Sequence, residues 1–263
     1  MREFAYARPS SLAEAASAFS GGGEAAFIAG GHTLLPAIKS RLRMPDTLVD
    51  LAAIPGLSGV SRDGDVLSVG AMTTHAAVST DKTVLAAIPG LACLAAGIGD
   101  QQVRNRGTIG GVLANNDPAA DYPAAALALG ATIVTDRGRH AADDYFQGMF
   151  ATALAEGEII TRVEFPVPTG FAYMKFRHPA SRYALVGVAV ARTGGTVRVA
   201  VTGAGPGVFR WTAAEAALSA DFSAKAVAGL VLDSADLNTD IHAGAEYRAH
   251  LAGVMLAQAI KGA

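Results

Sequence analysis

The sequence predicts a mixed α+β chain in two parts, and three observations carry that reading. The N-terminal stretch sets short apolar runs and helical periodicity around a glycine-rich junction, the pattern of a βαβ-like unit. A second stretch dense in Gly, Asn and Asp lies at 97–123. Beyond the VPTG at 167–170, alternating strands precede two helical stretches, an order that points to an α+β C-terminal part. The length of 263 residues agrees, since roughly 150 residues per domain allows one large domain or two modest ones.

Each element has a local reason. Pro9-Ser10-Ser11 supply turn and cap chemistry, and Leu12, Ala15, Ala16 and Phe19 recur at helical spacing until Gly21-Gly22-Gly23 stops them. A brief strand at 25–29 runs directly into Gly30-Gly31-His32-Thr33. Residues 34–42 read as a helix ended before Pro45, 47–51 as a second strand and Ile54-Pro55-Gly56 as a turn. Residues 60–69 read as a hairpin with Asp63-Gly64 at its tip. Thr73 or Thr74 caps the next helix, and 84–96 continues helical and alanine-rich. Residues 97–123 show little periodicity and read as one long loop, which inside a compact domain is usually functional. A helix feeding a strand follows at 124–134, and a further strand at 158–166. Strands at 172–176, 185–191 and 196–202 and helices near 212–218 and 247–261 complete the chain.

Composition excludes several classes. With 17% charged residues and a net charge of −2, the chain has no basic stripe for nucleic acid. Its single cysteine, Cys93, excludes an intrachain disulfide, an iron–sulfur cluster held by this chain alone and a CxxC zinc site. Cys93 lies in an apolar helical stretch and is expected in the core. The mean hydropathy of +0.32 is high. The best apolar segment, 122–134, nevertheless falls short of the ~20 residues a membrane span requires and is bounded by Asp121 and Asp136. No apolar run follows MREFAYARPSS, so a cytoplasmic chain without a signal peptide is expected.

Two loops carry the candidate chemistry. In Ala29-Gly30-Gly31-His32-Thr33-Leu34-Leu35, paired glycines between strand and helix allow backbone amides to converge on a pyrophosphate, with Thr33 as a further donor. In Thr108-Ile109-Gly110-Gly111 and Ala114-Asn115-Asn116-Asp117, close-approach glycines stand beside Thr, Asn and Asp, types that satisfy the hydroxyls and polar ring atoms of a nucleotide or flavin. Gly203-Ala204-Gly205-Pro206-Gly207 imitates a dinucleotide fingerprint, but its spacing is wrong and Pro206 removes a donor. Six histidines show no metal spacing. Asp143-Asp144 reads as a helix start. Lys175, Arg177, His178 and Arg182 form a basic cluster at a strand end, either a solvated edge or a contact to a cofactor's polar edge.

The strings AGGHTLLPAIKSRLRMPDTLVDL and RNRGTIGGVLANNDPAADYPAA resemble the two FAD loops of the flavoprotein (medium) subunit of molybdenum hydroxylases, the carbon monoxide dehydrogenase and xanthine dehydrogenase type. The resemblance spans nearly the whole chain, including 4–12, GEIITRVEFP at 157–166 and YMKFRHPASRYALVGVAVA at 173–191. It implies a two-part FAD-binding domain of the vanillyl-alcohol-oxidase (PCMH) kind at 1–168, with subdomains about 1–56 and 57–168, then a small C-terminal α+β domain at 169–263.

Carried over, Ala29, Gly30, Gly31, His32, Thr33, Leu34 and Leu35 would wrap the pyrophosphate. Thr108, Gly110 and Gly111 would approach from the other side, and Ala114, Asn115 and Asp117 would contact the ribityl or ring region. Ile160 would lie against the adenine or ring system, and Lys175 would face the flavin's polar edge and favour its reduced, anionic form. The FAD would be non-covalent, and no catalytic or metal-binding residue is implied.

The resemblance also implies partners, because this chain has neither the cysteines nor the room for the remaining cofactors. A small subunit would carry two [2Fe–2S] clusters and a large one the molybdenum cofactor, in a dimer of heterotrimers. Electrons would leave for an external acceptor such as NAD, a quinone or oxygen. Two rival readings remain at this point: a stand-alone FAD-dependent oxidase of similar fold, and a non-catalytic nucleotide-binding assembly protein.

Overall fold

The computed structural model describes residues 3–263. A three-stranded parallel sheet opens it, from β1 (Ala5–Ala7), β2 (Ala25–Ile28) and β3 (Thr47–Asp50) in the order β1-β3-β2. The central strand is buried on both faces, as a parallel strand flanked by helices requires. Leu48 packs toward α2 (Leu34–Lys39) through Ile38, and Val49 toward α1 (Leu12–Phe19) through Ala15. The Ser11 hydroxyl caps α1 by accepting from the Glu14 amide. Strand β1 was not expected from the sequence, because three residues give alternation too little length to register.

A five-stranded antiparallel sheet follows, β4-β5-β10-β6-β7, from β4 (Val60–Asp63), β5 (Val66–Gly70), β6 (Thr132–Thr135), β7 (Arg139–Ala141) and β10 (Ile160–Pro166). The first hairpin pairs Asp63 with Val66, so Gly64-Asp65 rather than Asp63-Gly64 occupy its tip. Between β5 and β6 run α3 (His75–Thr80), α4 (Lys82–Ala87), α5 (Pro89–Ala96), α6 (Gln101–Arg106), α7 (Ile109–Asn115) and α8 (Tyr122–Leu129). Thr74, not Thr73, caps α3. Cys93 is exposed, contrary to expectation: Leu91, Ala92, Leu94 and Ala95 take the buried face of α5, and the helical period turns Cys93 outward. A short helix, α9 (Ala142–Tyr145), carries Asp143-Asp144 in its first turn, in line with the helix start read there, and a small hairpin of β8 (Phe146–Gly148) and β9 (Ala151–Thr152) precedes β10.

The last sheet is antiparallel, β11 (Gly170–Arg177), β12 (Ala184–Thr193), β13 (Thr196–Thr202) and β14 (Phe209–Arg210), and α10 (Thr212–Ala220) and α11 (Ala245–Ala259) cover one face. Strand β12 is buried on both sides. Val186, Val188 and Val190 face α10 and α11, whereas Ala189 and Ala191 face the core that contains α8. The small alanines let α8 lie against this sheet while its other side meets the five-stranded one. That explains the apolar stretch at 122–134: every residue of α8 is buried. No helix among the described residues is long and apolar enough to cross a membrane.

Candidate functional site: a cavity between two glycine loops

Strand β2 ends at the first glycine loop. Gly31 sits at φ +73, in the left-handed region that favours glycine. Gly30 is needed for close approach, since a Cβ there would stand 2.0 Å from the Arg106 carbonyl oxygen. Among the described residues, no backbone or side-chain acceptor takes the amides of Gly31, His32 or Thr33. Thr33 precedes α2 without a side-chain cap bond, so its hydroxyl also stays available. His32 is exposed, with Nδ1 3.3 Å from the Gly30 carbonyl.

The expected long loop at 97–123 is mostly helical, which corrects the sequence reading. Helices α6 and α7 are six and seven residues long, too short for periodicity to register, and each is specified by its cap. Asp100 accepts from the Val103 amide, and the Thr108 hydroxyl accepts from the Gly111 amide at 3.2 Å. The backbone donors here are largely consumed. Gly107 donates to Val103, Ile109 to Thr73 and Gly110 to Ala71. Gly110 is there to let Ala71 approach: an added Cβ would stand 2.5 Å from the Ala71 side chain.

Between the two loops lies a cavity of about 600 Å³, within the range of small-molecule and cofactor sites. Ala29, Gly30, Gly31, His32, Thr33 and Leu34 line one side, and Thr108, Gly110, Gly111, Ala114, Asn115 and Asp117 another. Ile160 completes the wall from the start of β10. Two expected residues stand elsewhere. Leu35 is not in the wall; it packs against the cluster of Ala26, Ile38 and Leu48. Lys175 is a second correction: its ammonium is buried and lies 2.9 Å from the Asp121 carboxylate. Desolvating a lone ammonium is costly, and the fold meets that cost with Asp121. Of the remaining basic cluster, Arg182 reaches the cavity wall, whereas Arg177 is exposed and His178 half-buried outside it. The glycines at 203–207 lie outside the wall; the Gly203 amide donates to the Pro118 carbonyl at 2.7 Å.

Residues 2–168 match the family model described as the FAD binding domain in molybdopterin dehydrogenase, and 171–263 the CO dehydrogenase flavoprotein C-terminal domain. The chain belongs to the FAD-binding medium subunits of the molybdenum hydroxylases. Among these medium subunits, the carbon monoxide dehydrogenase medium chain of Hydrogenophaga pseudoflava is 34% identical and aligns with 99% of this chain and 96% of its own. The nicotine 6-hydroxylase medium subunit of Paenarthrobacter nicotinovorans is 37% identical, over 92% of this chain and 91% of its own. A reconstituted CO dehydrogenase structure from Oligotropha carboxidovorans superposes with a TM-score of 0.89 at 36% identity, covering 100% of this chain and 98% of that one.

This medium subunit fits an FAD on its own observations: free amides at Gly31, His32 and Thr33, a cavity of suitable size and an unpartnered buried imidazole in its wall. Sequence reasoning did not single out several residues of that wall, among them His75, Asp121, Glu158, Ser181 and Tyr183. Their only sequence signal was residue type, because they come from segments far apart in the chain. Burial pushes the Asp121 carboxyl upward, against the pull of Lys175 and of the Tyr173 hydroxyl, which donates at 2.5 Å. Gly187 makes room for that phenol, since a Cβ there would stand 2.3 Å from the Tyr173 oxygen. Burial also opposes ionisation of Glu158, but His140, the Thr135 hydroxyl and the Ala155 amide outweigh it and hold the carboxyl below its ordinary value.

Proposed function

We propose that this chain is the electron-transfer subunit of its complex. It holds FAD non-covalently between the two loops, takes electrons from [2Fe–2S] clusters on a small partner subunit and passes them to an external acceptor. A large partner carries the molybdenum cofactor and oxidises the substrate, and the assembly is a cytoplasmic dimer of heterotrimers. The carrying observation is the cavity itself, which brings residues 29–34 and 108–117 together from distant parts of the chain.

In this reading Gly31, His32 and Thr33 direct amides at the diphosphate, and the Thr33 hydroxyl adds a donor. Thr108 and Gly111 close the opposite side, and Asn115 and Asp117 meet the ribityl or ring polar atoms. Ile160 supplies an apolar surface. When bound, FAD supplies a redox centre able to accept electrons singly and release them in pairs; the protein positions it and limits its solvent access. The FAD-binding domain is assigned to 1–168, with subdomains about 1–56 and 57–168, and the C-terminal domain to 169–263. The stand-alone oxidase and assembly-protein readings have no observation in their favour.

The first test is an absorption spectrum of the purified chain from about 300 to 600 nm, repeated on the supernatant after heat denaturation. Flavin bands released as free FAD are expected. A colourless protein that fails to take up added FAD would overturn the site. Copurification of iron, molybdenum and two further chains is expected from the native host, and a chain isolated without them would overturn the partner assignment.

A further inference from the structure

His75 opens α3 directly behind the place where the two glycine loops meet. Its backbone amide donates to the Gly107 carbonyl at 3.0 Å. Its ring is 2% exposed, forms part of the cavity wall and makes no hydrogen bond to the described residues; Nδ1 is sealed without a partner. The Nε2–Cδ2 edge abuts Gly107, where an added Cβ would stand 2.5 Å from Nε2. Gly107 and Arg106 in turn are the atoms that exclude a side chain from Gly30. One imidazole therefore backs the contact that sets the distance between the loops. A buried polar ring without a partner is rare, and here it stands in the wall of the cavity that the free amides of Gly31, His32 and Thr33 border.

We infer that His75 positions the FAD diphosphate by closing the junction of the two loops, and that it takes up a proton from solvent when the diphosphate binds. The inference rests on the reading that this cavity holds FAD. Three groups face the ring: His32 from the first loop, Arg104 from α6 and the Tyr122 ring of α8, whose centroid lies 5.4 Å away. The Arg104 guanidinium donates to the Ile98 carbonyl at 2.9 Å, so it stays close by as a fixed positive charge. Burial, followed by His32 and Arg104, holds the imidazole down to about 4, so without ligand it is neutral near pH 7. A doubly charged diphosphate reverses the sign of that local field and favours the imidazolium. Proton uptake then makes FAD bind more tightly as pH falls.

Calorimetric titration of the full-length apo chain with FAD, in buffers of different ionisation enthalpy between about pH 8 and pH 5.5, reads the proton directly. Uptake that grows toward the acidic end, with a parallel fall in Kd, is expected for the wild type. His75→Gln keeps a polar side chain of similar reach but cannot titrate in this range. It should bind FAD with no proton uptake and a flat pH profile. His32→Gln should retain the uptake. Wild-type binding without proton uptake, or uptake that survives in His75→Gln, would overturn the inference and leave the FAD site standing. A wild-type chain that binds no FAD would overturn both.

Discussion

The two glycine loops resemble each other in composition and differ in construction. The first, at 29–35, is held mainly by backbone bonds such as Leu35 to Gly31 and Ala37 to Thr33, and its central amides remain free. The second spends its amides internally and is clamped by side chains from three directions. Buried Asn116 donates to the Gly148 and Ala151 carbonyls at 2.8 and 2.7 Å. The Thr202 hydroxyl lies 2.9 and 2.7 Å from the Pro118 and Ala120 carbonyls. Lys175 and Tyr173 hold Asp121. Glycine pairs thus do two jobs here: they present donors in one loop, and they permit close backbone packing in the other.

Four substitutions sharpen or break this contrast. The largest effect is expected from Asp121→Ala, which leaves the Lys175 ammonium buried without its partner and should cost about 3–5 kcal/mol in denaturant unfolding. A loss under about 1 kcal/mol would show that the second loop is not clamped there. Next comes the pair Gly30→Ala and Gly111→Ala. The first drives a methyl to 2.0 Å from a backbone oxygen, while the second crowds the Thr108 hydroxyl at 2.9 Å, a side chain that can turn away, and otherwise makes an ordinary contact with the Ala29 Cβ at 3.7 Å. Gly30→Ala should lose roughly 3 kcal/mol and most FAD uptake, and Gly111→Ala less than about 1.5 kcal/mol. Equal losses in the two variants would erase the distinction. The smallest effect is that of Thr108→Ala, which removes the α7 cap and should lower stability by about 1 kcal/mol in thermal melts. Hydrogen exchange should then quicken within 108–115 and leave 29–35 unchanged.

Much of this was legible in the sequence where local chemistry governs. Ser11 and Asp63-Gly64 marked a helix start and a hairpin, and strand alternation marked β11, β12 and β13. The residues read as flavin contacts are, with two exceptions, ones that the fold gathers around one cavity. Legibility failed where the deciding interaction is remote. Helices α6 and α7 are too short for periodicity, and Cys93 faces solvent because tertiary packing chose the opposite side of an all-apolar helix. The exceptions fail for related reasons. Leu35 follows the helical turn into a core cluster, and Lys175 is claimed by Asp121, a carboxylate 54 residues away in the chain.

The sequence alone determined the order of elements, the two glycine loops and the family to which the chain belongs. These depend on residue type and spacing, which a linear string records. Only the tertiary structure decided which amides stay free, which cations are buried against carboxylates and that His75 stands behind the junction of the loops. Those properties depend on which distant groups desolvate one another, and desolvation is a property of packing.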